Sequence, residues 1–202
     1  MANSRDGTPD DPSSDLSALC PDCAPETIER FRRSFPPRYF SSFSREAQAA
    51  HLAGLATLSR SDPVRVLIEA HEGDYSAVTV LGFDYPGEFS IIAGLLAASG
   101  FEVTSGDVYT SLRPSEADRQ SAGERLRYRR RGSRGGMSGG TGRAIQRVRE
   151  PERWIVDYFV GTVRGSLDEW ARRIPQRLHE TIATLAKGSA DAYEEAKRRV
   201  SD

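Results

Sequence analysis

The chain has 202 residues, of which 28% are charged and 38% hydrophobic, and its formal net charge is −1. This length allows one domain, and the low hydrophobic fraction predicts disordered stretches beside a folded core. The balanced charge argues against a protein that binds nucleic acid over its whole surface. The chain has no long apolar run and no basic-then-apolar start. It therefore predicts no membrane span and no secretory signal, and a cytoplasmic location is the default.

The first segment, 1–24, is rich in Ser, Pro and Asp and is expected to be a disordered N-terminal arm. It contains both cysteines, Cys20 and Cys23, at a spacing typical of metal ligands. Zinc needs four ligands, however, and the histidines are scattered along the chain. Two free thiols are therefore the favoured interpretation, and no metal site is predicted.

Residues 25–60 are predicted to be a helical segment. The aromatic and aliphatic residues after position 25 have helical spacing, and Pro36-Pro37 ends this first helix. Ser44 is a suitable N-cap for a second helix over about 45–58.

Beyond residue 63 the pattern changes to short β-branched runs separated by turn residues and by two amphipathic helices. The predicted elements are strands 64–71 and 76–84, helix 87–99, strands 101–112 and 153–163, and helix 166–187. The last stretch, 189–202, is predicted to be a C-terminal helix or tail.

The segment 113–152 differs from its surroundings because it carries eleven arginines, few acidic residues and the run GSRGGMSGGTGR. This composition predicts a flexible basic insert, and a solvated insertion is the favoured interpretation. An Arg/Gly-rich segment that binds nucleic acid or an acidic protein is the alternative, although Tyr128 is its one aromatic residue. The run lacks the Gly-Lys-Ser/Thr of a phosphate-binding loop, so no nucleotide site or cofactor is predicted.

From Ser76 onward the element order β-α-β-β-α is most of a ferredoxin-like unit. The stretch VTVLGFDYPGEFSIIAGLLAASGFEVTSGDVYT resembles an ACT domain, in which a strand ends in an Asp-x-Pro-Gly loop before a helix. The later stretch IVDYFV, with Asp157 and Phe159, is similar to the third ACT strand. The matching residues of the first stretch are Asp84, Pro86, Gly87, Phe89, Ile92, Gly100, Val103, Val108 and Thr110.

The resemblance is nearest to the ACT domains of protein-PII uridylyltransferases and related nitrogen-control proteins. It extends over 76–112 and 153–187, and more weakly over 26–60. One departure is that no strand follows the final helix, whereas an ACT domain ends with a fourth strand. The extra strand 64–71 can occupy that edge in the same direction as a hairpin partner of 76–84.

The predicted fold class is therefore α+β, with a ferredoxin-like, ACT-like domain over 64–188 that contains the insert. Its four-stranded antiparallel sheet is expected to have the order 64–71, 76–84, 153–163, 101–112, with both long helices on one face. The expected core includes Val80, Phe89, Ile92, Leu96, Val108, Phe159, Trp170, Ile174 and Leu178.

The resemblance implies a ligand-binding loop formed by Asp84, Tyr85, Pro86, Gly87, Glu88 and Phe89. A helix N-terminus favours carboxylates, and Gly87 allows close approach to the backbone. The backbone N–H groups of residues 87–89 would hold the carboxylate of an amino acid, and Asp84 its amine. A simple strand-to-helix turn, with Asp84 as a cap, remains the alternative.

The sequence thus favours a non-catalytic regulatory module that senses an amino acid, with glutamine the first to test, in nitrogen metabolism or beside a partner enzyme. None of the catalytic motifs considered is present, so no catalytic residue is predicted. A degenerate relative of a nucleotidyltransferase-type nitrogen-control enzyme is a further alternative. A homodimer is expected through strand 101–112, and the insert is expected to emerge beside Asp84–Phe89, where its arginines can reach a bound carboxylate.

Overall fold

The computed structural model describes residues 12–71, 73–112 and 153–201. Within these residues the chain forms seven helices and one antiparallel sheet of four strands. The basic insert 113–152 and the first eleven residues of the expected N-terminal arm lie outside the described residues. In the described part, none of the helices combines the length and the apolar character that crossing a bilayer requires.

The elements follow the chain in a simple order. The helices are α1 (Pro12–Leu19), α2 (Pro25–Ser34), α3 (Pro37–Ser42), α4 (Arg45–Ala56), α5 (Glu88–Ala98), α6 (Leu167–Leu185) and α7 (Ala190–Ser201). The strands are β1 (Val64–Ala70), β2 (Tyr75–Phe83), β3 (Phe101–Thr110) and β4 (Trp154–Val163).

The strand order of the sheet is β1-β2-β4-β3, and all neighbouring strands are antiparallel. This confirms the predicted order, in which 64–71 pairs with 76–84 and not with 101–112. β2 and β3 both run antiparallel to β4, so they are parallel to each other and end at the same side of the sheet. Among the described residues the helix α6 is followed by α7 and by no further strand.

One face of the sheet packs against α5, α6 and α7 around a single hydrophobic core. Seven of the nine core residues predicted from the sequence are buried there. Phe89 and Val108 are exceptions, because their side chains remain 46% and 36% exposed. Both lie at the margin of this face: Val108 belongs to the edge strand β3, and the Phe89 ring stacks on Phe159 with a centroid distance of 5.9 Å.

The opposite face of the sheet is covered by α1 to α4, which form a second core. Its centre is Tyr39, which is fully buried and donates or accepts a 2.8 Å hydrogen bond with His51 Nδ1. Leu16 of α1 is also fully buried in this core. The expectation of a disordered arm is therefore wrong for residues 12–24: the segment is polar in composition, but Leu16 and Cys20 supply an apolar surface that packs on its neighbours.

The two cysteines are joined by a disulfide bond between Cys20 and Cys23, so the interpretation as free thiols is wrong. The turn after α1 brings the two Cα atoms to 5.5 Å, within the range that a disulfide requires. The Cys23 N–H also donates to the Cys20 carbonyl at 3.1 Å.

The close contact between β3 and β4 depends on Gly161. A Cβ atom at this position would lie 2.1 Å from the Glu102 carbonyl oxygen, which is backbone and cannot rotate away. We expect Gly161→Ala to lower the free energy of unfolding by about 2–3 kcal/mol, since the two strands must separate locally. Urea unfolding followed by circular dichroism measures this change.

Gly106→Ala is the matched control, because its Cβ would meet no atom closer than the Phe159 side chain at 3.3 Å, with the Tyr158 carbonyl oxygen at an ordinary contact distance of 3.5 Å. An equal loss of stability in both variants would show that strand separation at Gly161 is not the cause.

Candidate functional site

The Asp84–Phe89 loop connects the end of β2 to the start of α5. Gly87 is the N-cap of α5 and has a φ of 77°, a left-handed conformation that a residue with a Cβ adopts only with strain. Asp84 forms an ion pair with Arg153, and its backbone N–H donates to the Arg153 carbonyl at 3.1 Å. The loop is therefore tied to the residue just before β4.

The chain itself places a carboxyl group, that of Glu88, at the first turn of α5. Glu88 is 3% exposed, and its Oε2 accepts a hydrogen bond from the Tyr85 backbone N–H at 3.0 Å. The Glu88 N–H in turn donates to the Tyr85 carbonyl at 3.2 Å. The side chain of Glu88 thus points into the protein and closes the turn, an arrangement similar to a capping box.

The approach to Gly87 is covered by the C-terminal helix. A Cβ built on Gly87 would lie 2.5 Å from Tyr193 Cε2 and 3.0 Å from the Tyr193 hydroxyl. Tyr193 belongs to α7, whose Ala196 is fully buried in the core between the sheet and the helices α5, α6 and α7. The space beside Gly87 that was predicted to hold a ligand is therefore occupied by a tyrosine ring of the same chain.

A further acidic residue, Asp157 of β4, lies under this loop and was not predicted as a site residue. It is 1% exposed and is paired in the sheet with Val80 on one side and Val108 on the other. Among the described residues, Asp157 Oδ1 and Glu88 Oε1 have no hydrogen-bond partner. Strand alternation in IVDYFV is the signal that could have found Asp157, because it shares a face with Ile155 and Phe159.

Burial changes the proton affinity of both carboxyl groups. Burial, with a further contribution from the charge of Asp84, raises the pKa of Asp157 to about 7. Burial also raises the pKa of the Glu88 carboxyl well above its ordinary value, although the Tyr85 N–H opposes this shift. Burial, with the nearby Glu88, raises the pKa of Tyr85 to about 12. Burial thus favours the protonated form of both carboxyl groups at the base of the loop.

The arrangement around the loop is polar and charged. It combines a helix N-terminus, an arginine paired with an aspartate, and two buried carboxyl groups. Within the part of the chain that the structure describes, no three His, Cys, Asp or Glu side chains are grouped so as to hold a metal ion. No protein-family model matches this chain, and no curated protein matches its sequence.

The buried carboxyl group of Asp157 predicts a specific pH dependence. Its native pKa of about 7 lies above the value of about 3.9 expected in an unfolded chain. The native state therefore holds a proton that the unfolded chain releases, and the free energy of unfolding falls as the pH rises from about 4 to about 7. Each pH unit in this window costs up to about 1.4 kcal/mol.

We expect Asp157→Asn to reduce this slope, because the amide has a similar shape and does not titrate. Urea unfolding at intervals between about pH 4.5 and 8 measures the slope. Asp74→Asn, at an exposed turn position, is the control and should keep the wild-type slope. If Asp157→Asn kept the full wild-type slope, the pH dependence of stability could not be assigned to the Asp157 carboxyl group.

Proposed function

We propose that this protein is a non-catalytic regulatory module that binds an amino acid at the Asp84–Phe89 loop and controls a partner enzyme, in keeping with the resemblance to nitrogen-control ACT domains. The observation that carries the proposal is the position of the loop. It follows the central strand β2, precedes α5, and lies at the sheet end where β3 also finishes.

The finer fold assignment belongs to this proposal. If β1 takes the place of the fourth strand, the order β1-β2-β4-β3 corresponds to that of a ferredoxin-like sheet. Helices α5 and α6 then correspond to the two helices of that unit. The helices α1 to α4 and the helix α7 are additions to it.

Ligand recognition would use groups that are at present engaged within the chain. The carboxylate of an amino acid would compete with Asp84 for the guanidinium of Arg153, which offers two parallel donors. Its approach to the backbone at Gly87 requires the Tyr193 ring to move. Asp84, once released from Arg153, is placed to accept a hydrogen bond from the ligand amine.

The test is calorimetry of the full chain against the twenty amino acids, beginning with glutamine, in the wild type and in Tyr193→Ala. We expect one class of amino acid to bind. It should bind roughly tenfold more tightly to Tyr193→Ala, because in this variant no ring has to move away from Gly87 before the ligand binds. Tyr193→Phe keeps the ring and should behave like the wild type. No heat and no thermal shift with any amino acid in all three proteins would contradict the proposal.

The proposal includes a homodimer formed at β3, which is an edge strand of the sheet. Part of this edge is covered, since Arg38 Nη2 donates to the Val108 carbonyl at 2.8 Å and the Leu112 N–H donates to the Ser34 carbonyl at 2.6 Å. Neither hydrogen bond involves the first half of β3, to which the dimer contact is assigned. Val103, which is 40% exposed, lies in this half.

Val103→Lys should weaken the dimer at least about tenfold, because a lysine on an edge strand opposes pairing with another strand. Light scattering over a range of protein concentrations measures the mass. Gln176→Lys, on the exposed side of α6, adds the same charge elsewhere and should leave the dimer unchanged. A wild-type protein that stays monomeric at high concentration would show that this part of the proposal is wrong.

The basic insert remains a prediction of the sequence. Its flanking residues, Leu112 and Arg153, lie at the sheet end where β2 ends and the Asp84–Phe89 loop begins. Arg153 also forms an ion pair with Asp84. A role for the insert arginines in holding a ligand carboxylate or an acidic partner is consistent with that position.

A further inference from the structure

The disulfide between Cys20 and Cys23 contains both cysteines of the chain. The two sulfur-bearing residues differ in their surroundings. Cys20 is 5% exposed and packs in the second core with residues such as Leu16 and Phe31. Cys23 is only partly buried at the margin of the same core. Cys23 is therefore the less buried residue of the pair, and Cys20 is shielded by the core.

This disulfide contributes little to the stability of the fold as a whole. It joins residues three positions apart, and a ring this short removes little freedom from the unfolded chain. The turn is already held by the backbone, since the Cys20 N–H donates to the Leu16 carbonyl at 2.9 Å and the Cys23 N–H donates to the Cys20 carbonyl at 3.1 Å. The bond therefore joins groups that packing and hydrogen bonds already hold together.

The position of Cys23 also bears on its chemistry. It precedes Ala24, the N-cap of α2, which makes no side-chain capping hydrogen bond. The positive end of a helix favours a thiolate, whereas the acidic neighbours Asp22 and Glu26 oppose it. The difference in burial, rather than charge, is thus what distinguishes the two cysteines.

We propose that Cys20–Cys23 is a thiol–disulfide exchange site at which Cys23 is the sulfur attacked by an external thiol. A thiolate of a small dithiol attacks Cys23 Sγ and forms a mixed disulfide, while the bond to Cys20 breaks and Cys20 leaves as a thiolate that takes up a proton. The second thiolate of the reagent then displaces Cys23, which is also protonated. The dithiol leaves as a cyclic disulfide, and two electrons have passed to the protein.

Reduction of the disulfide would weaken the packing of α1 against the rest of the protein. This helix has eight residues, too few to be stable alone, and it depends on contacts at Leu16 and at its Cys20 end. After reduction the Cys20 end is held by the burial of Leu16 and Cys20 and by the hydrogen bonds of the turn, without the covalent bond. The reduced protein should therefore keep its sheet and its other helices, but exchange amide hydrogens of residues 16–20 several-fold faster.

The first test compares Cys20→Ser and Cys23→Ser, each incubated with glutathione disulfide and followed by mass spectrometry. Circular dichroism first verifies that both variants are folded. We expect the mixed disulfide to form at least about tenfold faster in Cys20→Ser, which retains the less buried Cys23, and the difference to vanish in denaturing urea. Equal rates under native conditions would overturn the proposal.

The second test uses the unmodified chain and does not depend on any variant. Dithiothreitol, added without denaturant, should reduce the bond faster than the protein unfolds, as shown by alkylation and mass measurement at timed intervals. Hydrogen exchange of residues 16–20 is then compared in the oxidised and reduced protein. Reduction that occurs only at the rate of global unfolding, or unchanged exchange after reduction, would identify an inert cross-link instead.

Discussion

β4 is hydrogen-bonded to β2 on one side and to β3 on the other, and its side chains alternate between two hydrophobic cores. Ile155 and Phe159 point to the core under α5 and α6, whereas Trp154 and Val156 point to the core under α1 to α4. β4 thus contributes side chains to both cores and connects the two halves of the sheet. A one-residue shift of β4 would exchange all of its side chains between the two faces.

The same alternation places Asp157 in an apolar core, where an ionised carboxyl group is costly. The protein accommodates it as a proton-binding group beneath the Asp84–Phe89 loop, beside the similarly buried Glu88. A residue that disfavours folding at neutral pH is thus located under the loop to which the proposal assigns ligand binding. Buried groups with displaced pKa values often occur at functional sites, which agrees with this assignment.

The two surfaces of the sheet carry different features. On the α5 face, the C-terminal helix α7 places Tyr193 against Gly87 and so restricts access to the loop. On the opposite face, the N-terminal helices carry the Cys20–Cys23 bond at the margin of an aromatic core. β4 separates the features, so a change in the docking of α1 and a change in the docking of α7 are expected to be largely independent.

The sequence by itself determined the helices and strands of the domain, because their hydrophobic periods of 3.6 and 2 depend on neighbouring residues. It also determined the strand order, once the resemblance to an ACT domain and the hairpin at 64–84 were combined. The tertiary structure alone decided the burial of Asp157, the cover of Gly87 by Tyr193, the exposure of Phe89, and the docking of α1 with its disulfide. The physical reason is that each of these depends on packing between segments far apart in the chain or on the local path of a turn, and composition and periodicity encode neither.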